Sequence, residues 1–369
     1  MTVLFFISGH GFGHASRQVE IIHALAALRP DARILVRSAV SPALLERTIE
    51  VPFELRAGPC DTGIVQSSSV SHDDPATVRE AIAFYSAFDA RIKAEVEALD
   101  RDDVALIVGD IAPVAFEVAE RLNVPGVAIA NFTWDWIYET HPGMTGAAPW
   151  LVPRLRRAYE RATVALKLPF AGGFEVFRTV RPLPLVARRH TRSRSDTRER
   201  FGIPQERPAL LLSFGGYGLP DLDLASLDVL ADWTIVTTDR SSRAGATPAG
   251  VVFVPEQEFI HSGFRYEDLV AAVDAVVSKP GYGIIAECIA AGSPLLYTSR
   301  GEFREYDVLV EAIPRYLRSQ FIDQPALFSG RWARALRAML AQPAPSEQMA
   351  TNGAEVAAAA LSDWLAASR

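Results

Sequence analysis

Residues 3–25 read VLFFISGHGFGHASRQVEIIHAL. The run from Val3 to Ser8 has the length and apolarity of a buried strand. It breaks into Gly9-His10-Gly11-Phe12-Gly13-His14 and then into a helical pattern carrying Val19, Ile21, Ile22, Ala24 and Leu25. A strand, a glycine-rich turn and a helix in that order open an alternating α/β fold.

Further strands are expected at residues 32–37 and 51–56. One long amphipathic helix is expected over 75–99, with Asp74 as its cap and Pro75 in its first position. A strand from Val104 runs to Asp110, a helix covers 113–122 and a strand covers 126–130. Such alternation implies a parallel sheet covered on both faces, with ligands at the carboxyl ends of its strands. His10 to His14, Asp110 and Asn131 to Asp135 all fall at such ends, so they should share one rim.

The pattern then restarts. Leu183-Pro184-Leu185 and a basic stretch read as a connection, and residues 209–213 form a new strand ending in Phe214-Gly215-Gly216-Tyr217-Gly218. Strands follow at 233–237, 251–254, 275–278 and 294–298, with helices at 269–272 and 284–291 and a last apolar-faced helix at 353–367. A chain of 369 residues and 40.2 kDa exceeds what one core usually supports. The expected fold class is therefore α/β, with two Rossmann-like domains. Residues 1–182 form the first, 183–345 the second, and 346–369 a helix returning to the first.

Composition narrows the function. A net charge of −7 argues against a protein that grips nucleic acid by its phosphates. The basic run Arg188 to Arg200 is interrupted by acids and reads as a solvated helix or linker, or as contact with an anionic acceptor or membrane. Only Cys60 and Cys288 are present, too few for a disulfide framework or a thiolate metal site, and no metal motif is visible. The start lacks a basic n-region, so a cytoplasmic location is expected. In residues 143–155, Met144, Trp150, Leu151 and Val152 with Arg154, and the adjacent Arg156 and Arg157, allow peripheral contact with the inner face of a membrane; an interdomain helix is the alternative. Nothing in the sequence specifies an oligomeric state.

The first glycine turn brings the backbone close to a ligand and presents helix N–H groups to an anion. Its spacing does not fit G-x-G-x-x-G, and Arg37 and Ser38 stand where a dinucleotide enzyme would end its second strand in an acid. What distinguishes this turn is its histidines. His14 reads as a general base for a hydroxyl or as a structural histidine, and so does His10.

The second signal is Ser278-Lys279-Pro280-Gly281-Tyr282-Gly283 with Glu287 on the following helix. The turn and helix start suit a diphosphate. Glu287 reads equally as an acceptor for ribose hydroxyls or as an acid stabilising the helix dipole.

The stretch SKPGYGIIAECIAAGSPLLYTSRGEFREYDVL resembles the donor-binding segment of GT-B glycosyltransferases, in particular the family that makes the lipid-linked peptidoglycan precursor. FFISGHGFGHASRQVEIIHAL is similar to that family's N-terminal glycine loop, with His14 at the position of its acceptor-site histidine. SGHGFGHASR, VGDIAPVAFEVAERLNVPGVAIANFTWDWIY, LSFGGYG and SKPGYGIIAE together resemble the glycosyltransferase-like N-terminal region of plant L-arabinokinases and its stand-alone bacterial relatives. Within these residues no phosphate loop of the sugar-kinase type occurs, so arabinose phosphorylation is not implied.

The resemblance implies a GT-B fold whose two domains face each other across a cleft, and a nucleoside diphosphate sugar as donor, a UDP-sugar being favoured, with no cofactor or metal required. It assigns Gly281, Tyr282 and Gly283 to the phosphate cradle, Glu287 to the ribose, and residues 264–266, with Tyr266, to the base. Gly215 and Gly216 lie beside the diphosphate, assisted by Lys279 or Arg300. Where the peptidoglycan enzyme holds its sugar with an amide-bearing pair, this chain has Glu302, Arg304 and Glu305, so the sugar is not specified.

His14 and Asp110 would be catalytic in an inverting transfer. His10, Gly11, Phe12 and Gly13 would meet the acceptor; Asn131, Trp134 and Asp135 would either meet it or pack in the core; Asp61 and Gln66 are weaker acceptor candidates. The alternatives are a nucleotide-sugar 2-epimerase and a non-catalytic nucleotide-sugar sensor.

Overall fold

The computed structural model describes residues 1–215, 218–219, 221–238, 248–259, 262–301 and 303–367. Two compact units emerge. One comprises Met1–Val65, Asp73–Ala187 and Ala350–Arg369; the other comprises Gln66–His72 and Arg188–Met349.

The first unit contains β1 (Thr2–Ile7), β2 (Arg33–Ser38) and β3 (Phe53–Ala57). After them the chain forms a short antiparallel hairpin, β4 (Gln66–Ser68) and β5 (Ser71–His72), that belongs to the second unit. It then returns for β6 (Val104–Asp110), β7 (Gly126–Ala130), β8 (Val164–Lys167) and β9 (Val180–Pro182). All seven pair in parallel in the order β3-β2-β1-β6-β7-β8-β9. Every residue of β1 is buried, as expected of a strand with helices on both faces. The order reverses between β1 and β6, and the crevice outside their carboxyl ends is where such sheets bind ligands.

The second unit repeats the plan with β10 (Ala209–Ser213), β11 (Thr234–Thr237), β12 (Val251–Phe253), β13 (Ala275–Ser278), β14 (Leu295–Tyr297) and β15 (Ser319–Phe321). Their parallel order is β12-β11-β10-β13-β14-β15, so this sheet reverses between β10 and β13.

The helix Gly353–Ala367 packs on the helix Phe12–Leu28. It is led there by backbone bonds from Leu185 to Ala350 and from Gly353 to Leu185, each 3.0 Å. A Cβ at Gly353 would lie 2.3 Å from the Pro184 carbonyl, so only glycine permits this approach.

Three local expectations need correction. The helix expected over 75–99 is two, Asp74–Ser86 and Phe88–Ala98. Phe84, Tyr85, Phe88 and Ile92 are buried on both sides of the break, so the apolar spacing runs through it unmarked. The cap is Asp73, whose carboxylate accepts from the Ala76 amide at 2.9 Å, and Pro75 therefore sits one position further in. The basic run is exposed at residues 189–196 and 199–200, as a solvated helix or linker would be, and departs from that reading at Arg198. Arg198, 1% exposed, donates to the carbonyls of Ala272, Pro204, Gln205 and Arg207 and to Asp274. Arg194 also binds Asp274, and Arg200 binds Glu258.

Candidate active site

The carboxyl end of β1 delivers the chain into the glycine turn. Gly11 has φ +81°, a conformation that side chains with a Cβ rarely adopt, and it starts the helix Phe12–Leu28. Among the described residues no side chain caps this helix, so its first N–H groups stay available. His14 is the third residue of the helix and Arg17 lies one turn on, which puts both side chains on one face.

That face meets Asp110 at the end of β6. His14 Nδ1 is 3.0 Å from Asp110 Oδ2. Arg17 donates through Nε to Asp110 Oδ1 at 3.1 Å, its Nη2 also binds that oxygen, and its Nη1 donates to Asn131 Oδ1 at 2.6 Å. Arg17 Nη2 and His14 Nδ1 are 2.7 Å apart. A guanidinium only donates and a carboxylate only accepts. A protonated His14 Nδ1 therefore donates a hydrogen bond to the Asp110 carboxylate and leaves Nε2 as the basic nitrogen, whereas a bare Nδ1 accepts from Arg17. Burial alone would raise the Asp110 pKa, but the charges of Arg17 and His14 prevail and hold it below the usual carboxylate range.

Around this core, the His14 ring stands edge-on to Phe132 with centroids 5.7 Å apart. His10 stands edge-on to Trp134 at 5.2 Å, and its ring lies 6.1 Å from that of His14. Gly63 makes room for His10: a Cβ there would fall 2.1 Å from the imidazole Nδ1. Trp134 is fully buried and stacks on Tyr138, and its Nε1 donates to Asp61 Oδ2 at 2.8 Å. Burial pushes Asp61 up to about 6, against the hydrogen bonds from Trp134 and Ser8. Asn131 is fully buried, and Asp135 is buried beside Arg156, whose Nε donates to it at 3.2 Å. Phe12, by contrast, is about half exposed.

In the second unit, β10 ends at Ser213 and leads into Gly215, whose φ is +68°. Ser278, which ends β13, donates through Oγ to the Ser213 carbonyl, and the Tyr266 hydroxyl donates to Ser213 Oγ at 2.6 Å. Lys279 and Pro280 then lead to Gly281, from which the helix Tyr282–Ala291 starts; among the described residues no side chain caps it and no acid occupies its first turn.

Glu287 lies further along that helix and is buried. Its Oε1 accepts from Arg188 Nε at 2.8 Å, and Arg188 Nη1 is 3.4 Å from Glu267 Oε2. Burial and the neighbouring Glu267 raise the Glu287 pKa, and Arg188 opposes them. Lys279 Nζ donates to Gln66 Oε1 at 3.2 Å, and burial together with Arg300 pulls its pKa down to about 7. Arg300 is buried, donates to the Pro280 carbonyl at 3.1 Å and to Glu305 at 3.3 Å, and covers the Phe303 ring at 4.4 Å. Its Nε has no hydrogen-bond partner among the described residues.

No family model matches the sequence. The chain is 26% identical over 362 residues to L-arabinokinase of Arabidopsis thaliana, an alignment covering 97% of this chain and 34% of that protein. It thus spans about a third of that relative's length. It is 27% identical over 320 residues to the UDP-N-acetylglucosamine--N-acetylmuramyl-(pentapeptide) pyrophosphoryl-undecaprenol N-acetylglucosamine transferase of Clavibacter michiganensis subsp. michiganensis, covering 80% of this chain and 76% of that one.

Among solved structures, the glycotransferase of kitacinnamycin superposes with a TM-score of 0.62 at 14% identity, over 100% of this chain and 95% of that one. UDP-glucose: anthocyanidin 3-O-glucosyltransferase, in complex with UDP, superposes at 0.61 and 13% identity, over 99% and 94%. The fold is that of the GT-B glycosyltransferases.

In the GT-B frame the candidates fall at the two switch points. His10, Gly11, Phe12, Gly13, His14, Asp110, Asn131 and Trp134 gather at the β1–β6 end, with Asn131 and Trp134 inside the protein. Gly215, Tyr266, Lys279, Gly281 and Glu287 gather around β10 and β13, and Arg300 and Glu305 follow β14. Gly216 and Glu302 lie outside the described residues.

Arg17 and Arg188 join the two candidate sites without having been expected there. Arg17 had a signal, since it stands one turn after His14 on the same face. Arg188 had none, because its partners Glu267 and Glu287 are distant in sequence. In the segment 143–155, Met144, Leu151 and Leu155 are buried and Arg154 binds Asp89; Trp150 is its exposed large apolar residue. Among the described residues, no helix is long and apolar enough to cross a membrane, and no cluster of three His, Cys, Asp or Glu forms a metal site.

Proposed function

We propose that the protein transfers a glycosyl group from a nucleoside diphosphate sugar, with a UDP-sugar favoured, to an acceptor hydroxyl. His14 is the base and the anomeric carbon is inverted. The observation that carries this reading is the buried His14–Asp110 pair at the β1–β6 switch point of a GT-B fold. Asp110, kept anionic by Arg17, orients the imidazole with its proton on Nδ1 and stabilises the imidazolium that forms. Nε2 then takes the proton of the acceptor hydroxyl as its oxygen bonds to the anomeric carbon. The bond from that carbon to the diphosphate breaks, and its electron pair leaves on the phosphate oxygen. A single displacement inverts the centre.

The leaving diphosphate gains negative charge, which the N–H groups at the start of the helix Tyr282–Ala291 and the cations Lys279 and Arg300 are suited to offset. These groups supply positive charge from the chain itself, which supports a transfer that needs no metal. Glu287 is assigned to the ribose through the oxygen not held by Arg188 Nε. The similarities to two enzymes named for UDP-sugars support the choice of donor.

The test starts with a thermal-shift screen of nucleoside diphosphates and their sugars, since a ligand of the folded state raises its stability. The donor found is then incubated with a panel of sugar and alcohol acceptors. His14→Ala is expected to slow transfer about 10²–10⁴-fold, the range for a general base, with donor affinity within about twofold of wild type. Glu287→Ala is expected to do the reverse, weakening donor binding about tenfold while the fold persists. Transfer by His14→Ala at the wild-type rate refutes the base assignment. Epimerised sugar from donor alone points instead to the epimerase chemistry.

A further inference from the structure

The hairpin of β4 and β5 interrupts the sequence of the first unit but is built into the second. Ser69 Oγ donates to the Phe214 carbonyl at 2.7 Å, directly after β10. Val70 is buried in the second unit's core with Leu212, Phe214 and Val277, and its carbonyl accepts from Gln324 Nε2 at 3.4 Å. The His72 ring meets Phe303, after β14, at 6.0 Å. Gln66 accepts from Lys279 Nζ, after β13, at 3.2 Å. This seven-residue hairpin therefore touches the loops at the carboxyl ends of three neighbouring strands, at the edge where this sheet would hold its ligand.

The chemistry of the Gln66–Lys279 contact is specific. An ammonium has three donors, and among the described residues Lys279 uses one of them on Gln66. An amide oxygen fixes that group without neutralising it, whereas a carboxylate there would compete with an anionic ligand. The orphaned Nε of Arg300, whose charge acts on Lys279, is a second donor without a partner among the described residues.

We infer that Gln66 is a positioning residue of the donor site, holding Lys279 so that its remaining N–H groups meet the terminal phosphate of a nucleoside diphosphate. The N-terminal half of the sequence thus supplies part of the donor site, and Gln66 leaves the acceptor side where its sequence position had put it. The inference rests on the donor reading given above.

The experiment uses the full chain and titration calorimetry with whichever of UDP, dTDP, GDP and ADP binds, alongside its monophosphate. Gln66→Met keeps the size and removes the acceptor. It should weaken the diphosphate about tenfold and the monophosphate less than about twofold.

Gln66→Glu is the second variant. Arg300 acts on Lys279 directly, Glu305 pairs with Arg300, and His72 shares the hairpin, so all three groups are common to wild type and variant. The new carboxylate should hold the Lys279 proton to higher pH and move the alkaline fall in diphosphate affinity up by about one unit. Unchanged binding in Gln66→Met, or equal loss of both nucleotides, with an unmoved pH profile in Gln66→Glu, overturns the role of Gln66 and leaves the donor site standing. If wild type binds none of the diphosphates, the donor reading falls and this inference falls with it.

Discussion

At the β1–β6 switch point a buried carboxylate is enclosed by donors: Asp110 receives Arg17 on one oxygen and His14 on the other. At the β10–β13 switch point the balance is reversed. Lys279 meets a neutral amide there, and Arg300, although paired with Glu305, keeps one buried N–H without a partner among the described residues. Both edges have the same strand order and a glycine turn, so the backbone does not account for the difference. It comes from the side chains at the strand ends. One site is closed around an anion of its own and is fitted to hold an imidazole; the other has cationic donors to offer to an anion from outside.

The sharpest way to break this comparison is to remove the internal anion. Asp110→Asn leaves Arg17 buried without its counter-charge and is expected to cost about 3–5 kcal/mol, measured by urea unfolding at pH 7. The sign with pH follows from the lowered pKa. Asp110's contribution is complete above its unfolded value near 4 and is lost as the pH falls through the folded value below it. Wild type should therefore lose this increment in acid while the variant shows none of that loss. Equal acid sensitivity in both would mean that the Asp110 ion pair does not stabilise the fold.

Next in size is the loss of the cation at the other edge. Lys279→Met is expected to weaken a nucleoside diphosphate about 10–100-fold, the range for a hydrogen bond to a charged group. The same change should relieve the folded protein near neutral pH, because burial depresses the Lys279 pKa to about 7. Stability from a depressed lysine is fully present above its unfolded pKa near 10.4 and falls as pH drops toward 7. A variant with undiminished diphosphate affinity would remove the contrast between the two edges.

The smallest effect expected belongs to Asp61. Its pKa of about 6 lies above the unfolded value, so its contribution is complete in acid, below about 4, and is lost as pH rises through about 6. Asp61→Asn retains an acceptor for Trp134 Nε1 and should gain about 1 kcal/mol at pH 7 while flattening that pH dependence, read from thermal melts between pH 4 and 8. A variant less stable than wild type at pH 7 would show that the Asp61 charge is favourable where it sits.

How legible these regions were in sequence depends on the range of the interactions that make them. The glycine turn after β1, the strand ending in Asp110 and the turn after β13 depend on neighbouring residues; the strands end within a residue of where the sequence puts them, whereas the helices begin inside the expected turns, at Phe12 and Tyr282. The break at Ala87 left no trace because burial on either side keeps one helical period. Arg198 and Arg188 looked like members of a basic run, and the acids that pair with them, Asp274 for the first and Glu267 and Glu287 for the second, lie more than 70 residues away. The hairpin 66–72 is polar apart from Val70, so no apolar pattern announces that it joins another unit's core.

The sequence alone determined the alternation of strands and helices, the two glycine turns and the residue types at the strand ends, because period, φ preference and chain polarity are local properties. Only the tertiary structure decided the partners: Arg17 joining His14 on Asp110, Arg188 on Glu287 and Gln66 on Lys279. Those pairings arise from strand order and chain crossings, which bring together groups whose charge and hydrogen-bonding capacity the sequence states but whose separation in space it does not encode.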